Sequence, residues 1–179
     1  MPPVTRYPQV LVALHWTLAL LIIATLAYGF VWMGNMPTSD PALLPVLRLH
    51  VLGGLVMLGL MSWRFYLRMT RPRPAAGRGI LARIAVVSHY GFYLLVGAIV
   101  LTGLMTIVTA GLVPAILWGG RGVMPHSFEA MPTFVVHALL VTLLSNLILL
   151  HVIAALYHQF VRKDGLFGRM SLPPDPEKP

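Results

Sequence analysis

Four long apolar runs, separated by short polar or proline-bearing connections, set the pattern of this chain; they cover roughly residues 9–32, 46–67, 84–108 and 132–162. Each is long enough for an α-helix to cross a hydrocarbon layer about 30 Å thick, which takes about 20 apolar residues. The pattern predicts an all-α fold, a bundle of four transmembrane helices forming a single integral-membrane domain over residues 1–179. Pro37, Asp40 and Pro41 break the first connection, and Pro72 and Pro74 break the second. The third connection, 110–131, is rich in glycine and proline and carries Leu117 and Trp118, an interfacial pair by character.

Polar positions inside the runs change the picture. The fourth run carries His137, His151 and His158, spaced by 14 and then 7 residues. On a helix 14 residues fall about 40° short of four turns and 7 fall about 20° short of two, so the three imidazoles share one stripe. The other runs hold His15, His50 and His89. Taken singly, each histidine is equally readable as a core residue bonded to a backbone carbonyl. Titratable groups in a lipid-spanning helix are costly, so three in register, with partners at matching depth, point to function.

Composition narrows the chemistry. With 58% hydrophobic and 10% charged residues, the chain is too apolar for a soluble domain. Cysteine is absent, which excludes disulfides, iron–sulfur clusters and covalent c-type haem. The net charge of +8 does not require nucleic acid, because the basic residues flank the apolar runs. Eleven of the 13 lie on the side shared by both termini and the second connection, leaving only Arg48 and Arg121 opposite. The positive-inside rule then places both termini in the cytoplasm, with an even number of spans. The first run continues too far for a signal-peptide core, and Thr25-Leu26-Ala27 is a weak cleavage-like site, so the segment reads as a retained helix.

Counting at about 1.5 Å per residue from the basic anchors puts His15 about 13 Å beyond Arg6 and His151 about 16 Å from Arg162. His50, about 21 Å from Arg64, and His137, more than about 35 Å from Arg162, belong to the outer half. His89 and His158 fall about 9 and 6 Å from Arg83 and Arg162, a third level at the cytoplasmic surface. Two pairs across the bundle at two depths suit bis-histidine haem, which takes one imidazole on each side of a planar ring. Zinc would want three or four ligands converging on one point, and no carboxylate lies within a span. The expectation is two non-covalent b haems, an inner one on His15 and His151 and an outer one on His50 and His137. Iron with both axial positions filled favours outer-sphere electron transfer over direct binding of small molecules. Gly53 and Gly54 after His50 would let a flat ligand or a neighbouring helix approach closely. Arg48, Arg64 and Arg68 are candidate partners for haem propionates, although Arg64 and Arg68 serve topology equally well.

The ordered set resembles the bacterial cytochrome b561 family of the inner membrane. It comprises Arg6-Tyr7 before Leu14-His15-Trp16, His50 with Gly54, His89-Tyr90, and His137, His151, Ala154-Ala155-Leu156 and His158. Lys163-Asp164-Gly165 and then Arg169-Met170 look like the family's closing signature. The likeness spans nearly the whole sequence, with Gln159 departing where members often have a second histidine. It implies a four-helix di-haem cytochrome that takes an electron from superoxide on the periplasmic side and reduces ubiquinone. The alternative it implies is an electron-transfer subunit of a respiratory dehydrogenase or hydrogenase-type complex, and a non-redox bundle is the third class. By the same resemblance His89 and His158 are the quinone-proximal pair, chemically apt because imidazole titrates near neutrality. Arg48, Arg121 and His126 are candidates for guiding the superoxide anion. Asp40 and Glu129 cancel the formal charge of Arg48 and Arg121, so any steering rests on local arrangement.

Overall fold

The structure, a computed structural model, describes residues 7–72, 79–119, 122–165 and 167–170; Arg6, Arg73, Arg78, Arg121 and Lys178 lie outside them. Among the described residues every regular element is helical. Helix α1 spans Gln9–Ala27, α2 Leu43–Thr70, α3 Ile80–Thr109, α4 Val113–Trp118 and α5 Pro132–Leu156. Among the described residues, four continuous helical segments of 27 to 31 residues are long and apolar enough to cross a membrane.

The helices outrun the apolar pattern for identifiable reasons. Helix α2 starts three residues before Val46 because Pro45 falls in its first turn, where backbone N–H groups have no intrahelical partner to lose. Asp40 Oδ1 accepts a hydrogen bond from the Ala42 amide at 2.8 Å just ahead of that turn. At its other end α2 runs three residues past Leu67, taking in Arg68, and stops at Arg71, which is extended before Pro72. Helix α3 begins at Ile80, after Gly79 at a φ of 99°. The third connection is not wholly irregular: α4 forms within it and buries Ala115 and Ile116, with Leu112 just before it fully enclosed.

Two spans end in wider turns. Beyond α1 the helix runs on as a π-helical turn, Tyr28–Trp32, then a 3-10 turn, Met33–Asn35. Beyond α5 the π-helical turn Tyr157–Arg162 is stopped by Lys163 in the left-handed region, at a φ of 51°.

Helix α1 packs on α2, α2 on α3, and α3 on α5. Their apolar side chains meet at mid-bundle, where Leu18, Ile22, Met57, Met61, Val96 and Leu144 form a core to which all four long helices contribute. A second core, of Leu47, Ile107, Leu112 and Ile116, closes the end near α4. At the opposite, basic end, Leu11, Leu14 and Leu67 join α1 to α2. The segment after α5 returns to the start of α1 there, with the Tyr7 amide donating to Arg169 O at 3.5 Å and Trp16 Nε1 to Met170 O at 2.9 Å. The outward faces are apolar, Leu20, Leu94 and Leu139 being 70%, 74% and 61% exposed. In water such a surface would aggregate; against lipid tails it carries no penalty. The protein is an integral membrane protein.

Candidate functional site: two storeys of paired histidines

Because α5 is antiparallel to α3 and stands across the bundle from α1 and α2, its histidine stripe meets imidazoles at two heights. Toward the α4 end, His137 on α5 faces His50 on α2, with ring centres 6.3 Å apart. Toward the basic end, His151 faces His15 on α1 at 6.2 Å. Two metal–imidazole bonds of about 2.0 Å, with each ring centre about 1.1 Å beyond its bonding nitrogen, span roughly 6.2 Å. Edge-to-face packing occupies the same range, so the donor atoms carry the distinction. Ile99 O lies 2.9 Å from His137 Nδ1. A carbonyl only accepts, so Nδ1 holds the proton and Nε2 keeps the lone pair a metal needs. His50 Nδ1 is buried without a hydrogen-bond partner. Such an orphan is costly in a closed interior and fits a site built around something further.

The space beside the outer pair is kept by glycine. A Cβ on Gly103 would lie 3.1 Å from both Cε1 and Nδ1 of His137, and one on Gly29 would lie 3.7 Å from His50 Cε1. Arg48 sits one storey out: its guanidinium donates to Ala115 O at 2.6 Å, tying α2 to α4, while its Nε is buried and unpaired.

Around the inner pair the wall is aromatic and cationic. Phe92 and His89 stand edge-on to His151, at 5.3 and 5.8 Å between ring centres. Arg64 is only 9% exposed; it donates to the Tyr93 hydroxyl at 2.6 Å and leaves its Nε buried without a partner. Arg68 lies over the Tyr90 ring at 6.0 Å, also with an unpaired buried Nε. The Arg64 charge acts on His15, His89 and His151 together, and that of Arg68 on His89. Buried guanidinium groups with spare N–H donors beside a histidine pair are chemically matched to carboxylates such as haem propionates.

A profile of the family described as prokaryotic cytochrome b561 matches residues 6–171. The chain belongs to that family. A curated relative from Yersinia pestis, named "Probable superoxide oxidase CybB", is 27% identical over 175 residues, covering 92% of this chain and 95% of the relative. Family membership brings b-type haem with it, and the donor set fits: paired imidazoles at two heights, the inner pair beside the buried guanidinium of Arg64. The haem itself supplies one-electron chemistry when bound.

Two placements differ from the depth count. His89 does not share a separate surface level with His158; its ring stands against His151. Helix α3 starts at Ile80, so His89 lies about 13 Å from that end, close to the depth of His151. Its Nδ1 donates to Ala85 O at 2.6 Å, one turn back. His158, in the π-helical turn, instead pairs with Asp164, Nδ1 to Oδ2 at 2.6 Å. His126 is exposed, and its carbonyl accepts from Thr38 Oγ1 at 3.2 Å. Sequence reasoning passed over Gly103, Gly29, Tyr93 and Ile99 as supports of the site, and quoted Asp164 only within a closing motif. The spacing of Ile99 and Gly103, one turn apart on α3, was the available signal, but it gains meaning only once His137 is seen to face α3.

Proposed function

We propose that this cytochrome carries electrons across the bacterial inner membrane through two bis-histidine b haems, oxidising superoxide at the periplasmic face and reducing ubiquinone at the cytoplasmic face. His50 and His137 would hold the outer haem, and His15 and His151 the inner one. The two imidazole pairs, 6.3 and 6.2 Å apart at two heights of one bundle, carry this reading. The name of the Yersinia pestis relative supports the choice of donor.

The chemistry balances without any further reactant. Two superoxide anions each give up one electron and leave as dioxygen; ubiquinone takes both electrons with two protons and leaves as ubiquinol. The chain's own residues perform the remaining tasks. The carbonyl of Ile99 fixes the His137 tautomer, and the mid-bundle apolar core keeps water from passing between the storeys. Arg64 and Arg68 would pair the inner propionates and Arg48 the outer ones. His158, partly open at the basic end, would pass on the protons that reduction of the quinone consumes, while His89, against His151, would line the inner side of the quinone site. The basic end faces the cytoplasm in this reading, as the charge asymmetry requires.

Purified protein in detergent or nanodiscs should show a b-type band in reduced-minus-oxidised spectra and consume superoxide only when ubiquinone is present. Absence of the band would return the chain to the non-redox class. A band without quinone-dependent superoxide loss, in a preparation that co-purifies with a dehydrogenase, would favour the subunit role.

A further inference from the structure

We propose that Asp164 is a positioning residue for quinone reduction: its carboxylate holds His158 in the tautomer and orientation that serve the quinone. The inference rests on the quinone-reducing reading above and assigns a role to a residue outside the spans. Asp164 Oδ2 lies 2.6 Å from His158 Nδ1, a short charge-assisted hydrogen bond in which Nδ1 donates. With Nδ1 committed to the carboxylate, Nε2 is the nitrogen through which the ring exchanges a proton with a ligand.

The pairing is built by the backbone rather than by chance proximity. The π-helical turn Tyr157–Arg162 carries His158, and Lys163 and Gly165, at φ of 51° and 68°, turn the chain so that Asp164 comes back beneath it. Beyond that turn, Arg169 O and Met170 O accept hydrogen bonds from the Tyr7 amide and Trp16 Nε1. Those contacts fasten the returning segment to α1 next to His15, whose ring lies 5.3 Å from that of Trp16. The dyad is therefore held at the floor of the inner storey while its side chains remain partly open, 20% and 32% exposed. That exposure gives protons a route from water. Arg162 Nε stands 3.8 Å from the same carboxylate oxygen, an ion pair too long for a hydrogen bond.

In the proton step, imidazolium at His158 releases the Nε2 proton to a quinone oxygen that has taken up charge. The ring stays bonded to Asp164 through Nδ1–H and recovers a proton from water. Each quinone consumes two such protons, matching its two electrons. No proton need reside on Asp164, whose part is to orient the ring and to keep an anion beside it.

The test uses the full-length haem-loaded protein, reduced with a limiting amount of dithionite and mixed with a short-chain ubiquinone in a stopped-flow instrument. Asp164→Ala should lower the saturating rate of haem reoxidation about tenfold or more, the scale of losing a partner that orients a functional histidine. The quinone concentration at half-saturation and the haem content should stay near those of the unaltered protein. Asp164→Glu should recover much of the rate, and Arg162→Gln should leave it unchanged. Adding Asp164→Ala to His158→Ala should cause no further loss, because the two act as one unit. Full activity in Asp164→Ala, or additive losses in the double variant, would overturn the role of Asp164 while leaving quinone reduction in place. Failure of the unaltered reduced protein to pass electrons to quinone would overturn both this inference and the reading beneath it.

Discussion

At the scale of single residues, the histidines were legible in the sequence because they are conspicuous in an apolar run, and their pairing followed from counting turns. The glycines that make room for them were not, since a helix packed closely on its neighbour uses glycine in the same way. The structure separates the two cases. Gly103→Val would drive a branched side chain toward a position already 3.1 Å from the His137 ring and should displace that imidazole. Gly29→Ala meets His50 only at ordinary contact distance, 3.7 Å, and should be tolerated. A pyridine haemochrome assay on purified protein should find two haems per chain in the Gly29 variant and about one in Gly103→Val. The same assay should count one haem after His15→Ala or His151→Ala; a count of two would break the assigned pairing. Tyr93→Phe probes the arginine wall, because it strips a buried guanidinium of its 2.6 Å partner. A hydrogen bond to a charged group is worth about 1.5–3 kcal/mol, and a loss of that order should appear as a lower thermal midpoint for the purified protein.

At the scale of elements, the four apolar runs announced the four long helices, and what they missed lies at the ends. Pro45 looks like a breaker in sequence yet sits where a helix tolerates it, and Arg68 lies beyond the apolar run although α2 carries it, over the Tyr90 ring. Hydropathy cannot register either case, because one depends on position within a turn and the other on which face an arginine occupies. The turn after α5 was legible only as a motif, since its left-handed Lys163 and the hydrogen bonds of Arg169 and Met170 to α1 are tertiary facts. Trp16→Phe keeps an aromatic side chain, though a smaller one, and removes the Nε1 donor to Met170 O. Limited trypsin digestion should then cut faster at Arg162, Lys163 and Arg169, consistent with losing about 1 kcal/mol of tethering. An unchanged digestion rate would mean that the other contacts of this segment suffice.

At the scale of the whole molecule, the arrangement about one apolar waist with basic residues gathered at one end predicts a fixed orientation in the membrane. The lack of native cysteine makes the prediction easy to read, because every introduced thiol is the only one present. In intact spheroplasts, Val123→Cys, 91% exposed in the connection before α5, should react with a membrane-impermeant maleimide. Met69→Cys, 57% exposed at the basic end of α2, should react only after the cells are broken. The reverse pattern would invert the proposed direction of electron flow.

The waist also acts as an electrical insulator. Fourteen residues of α5 separate His137 from His151, about 21 Å of a hydrocarbon layer about 30 Å thick, so roughly two thirds of the transmembrane voltage falls between the storeys. Moving one elementary charge through the full drop is worth about 2.3 kcal/mol per 100 mV. With the cytoplasm negative, the inward electron transfer proposed above would climb roughly 1.5 kcal/mol of that at 100 mV, so a well-energised cell would act as its brake.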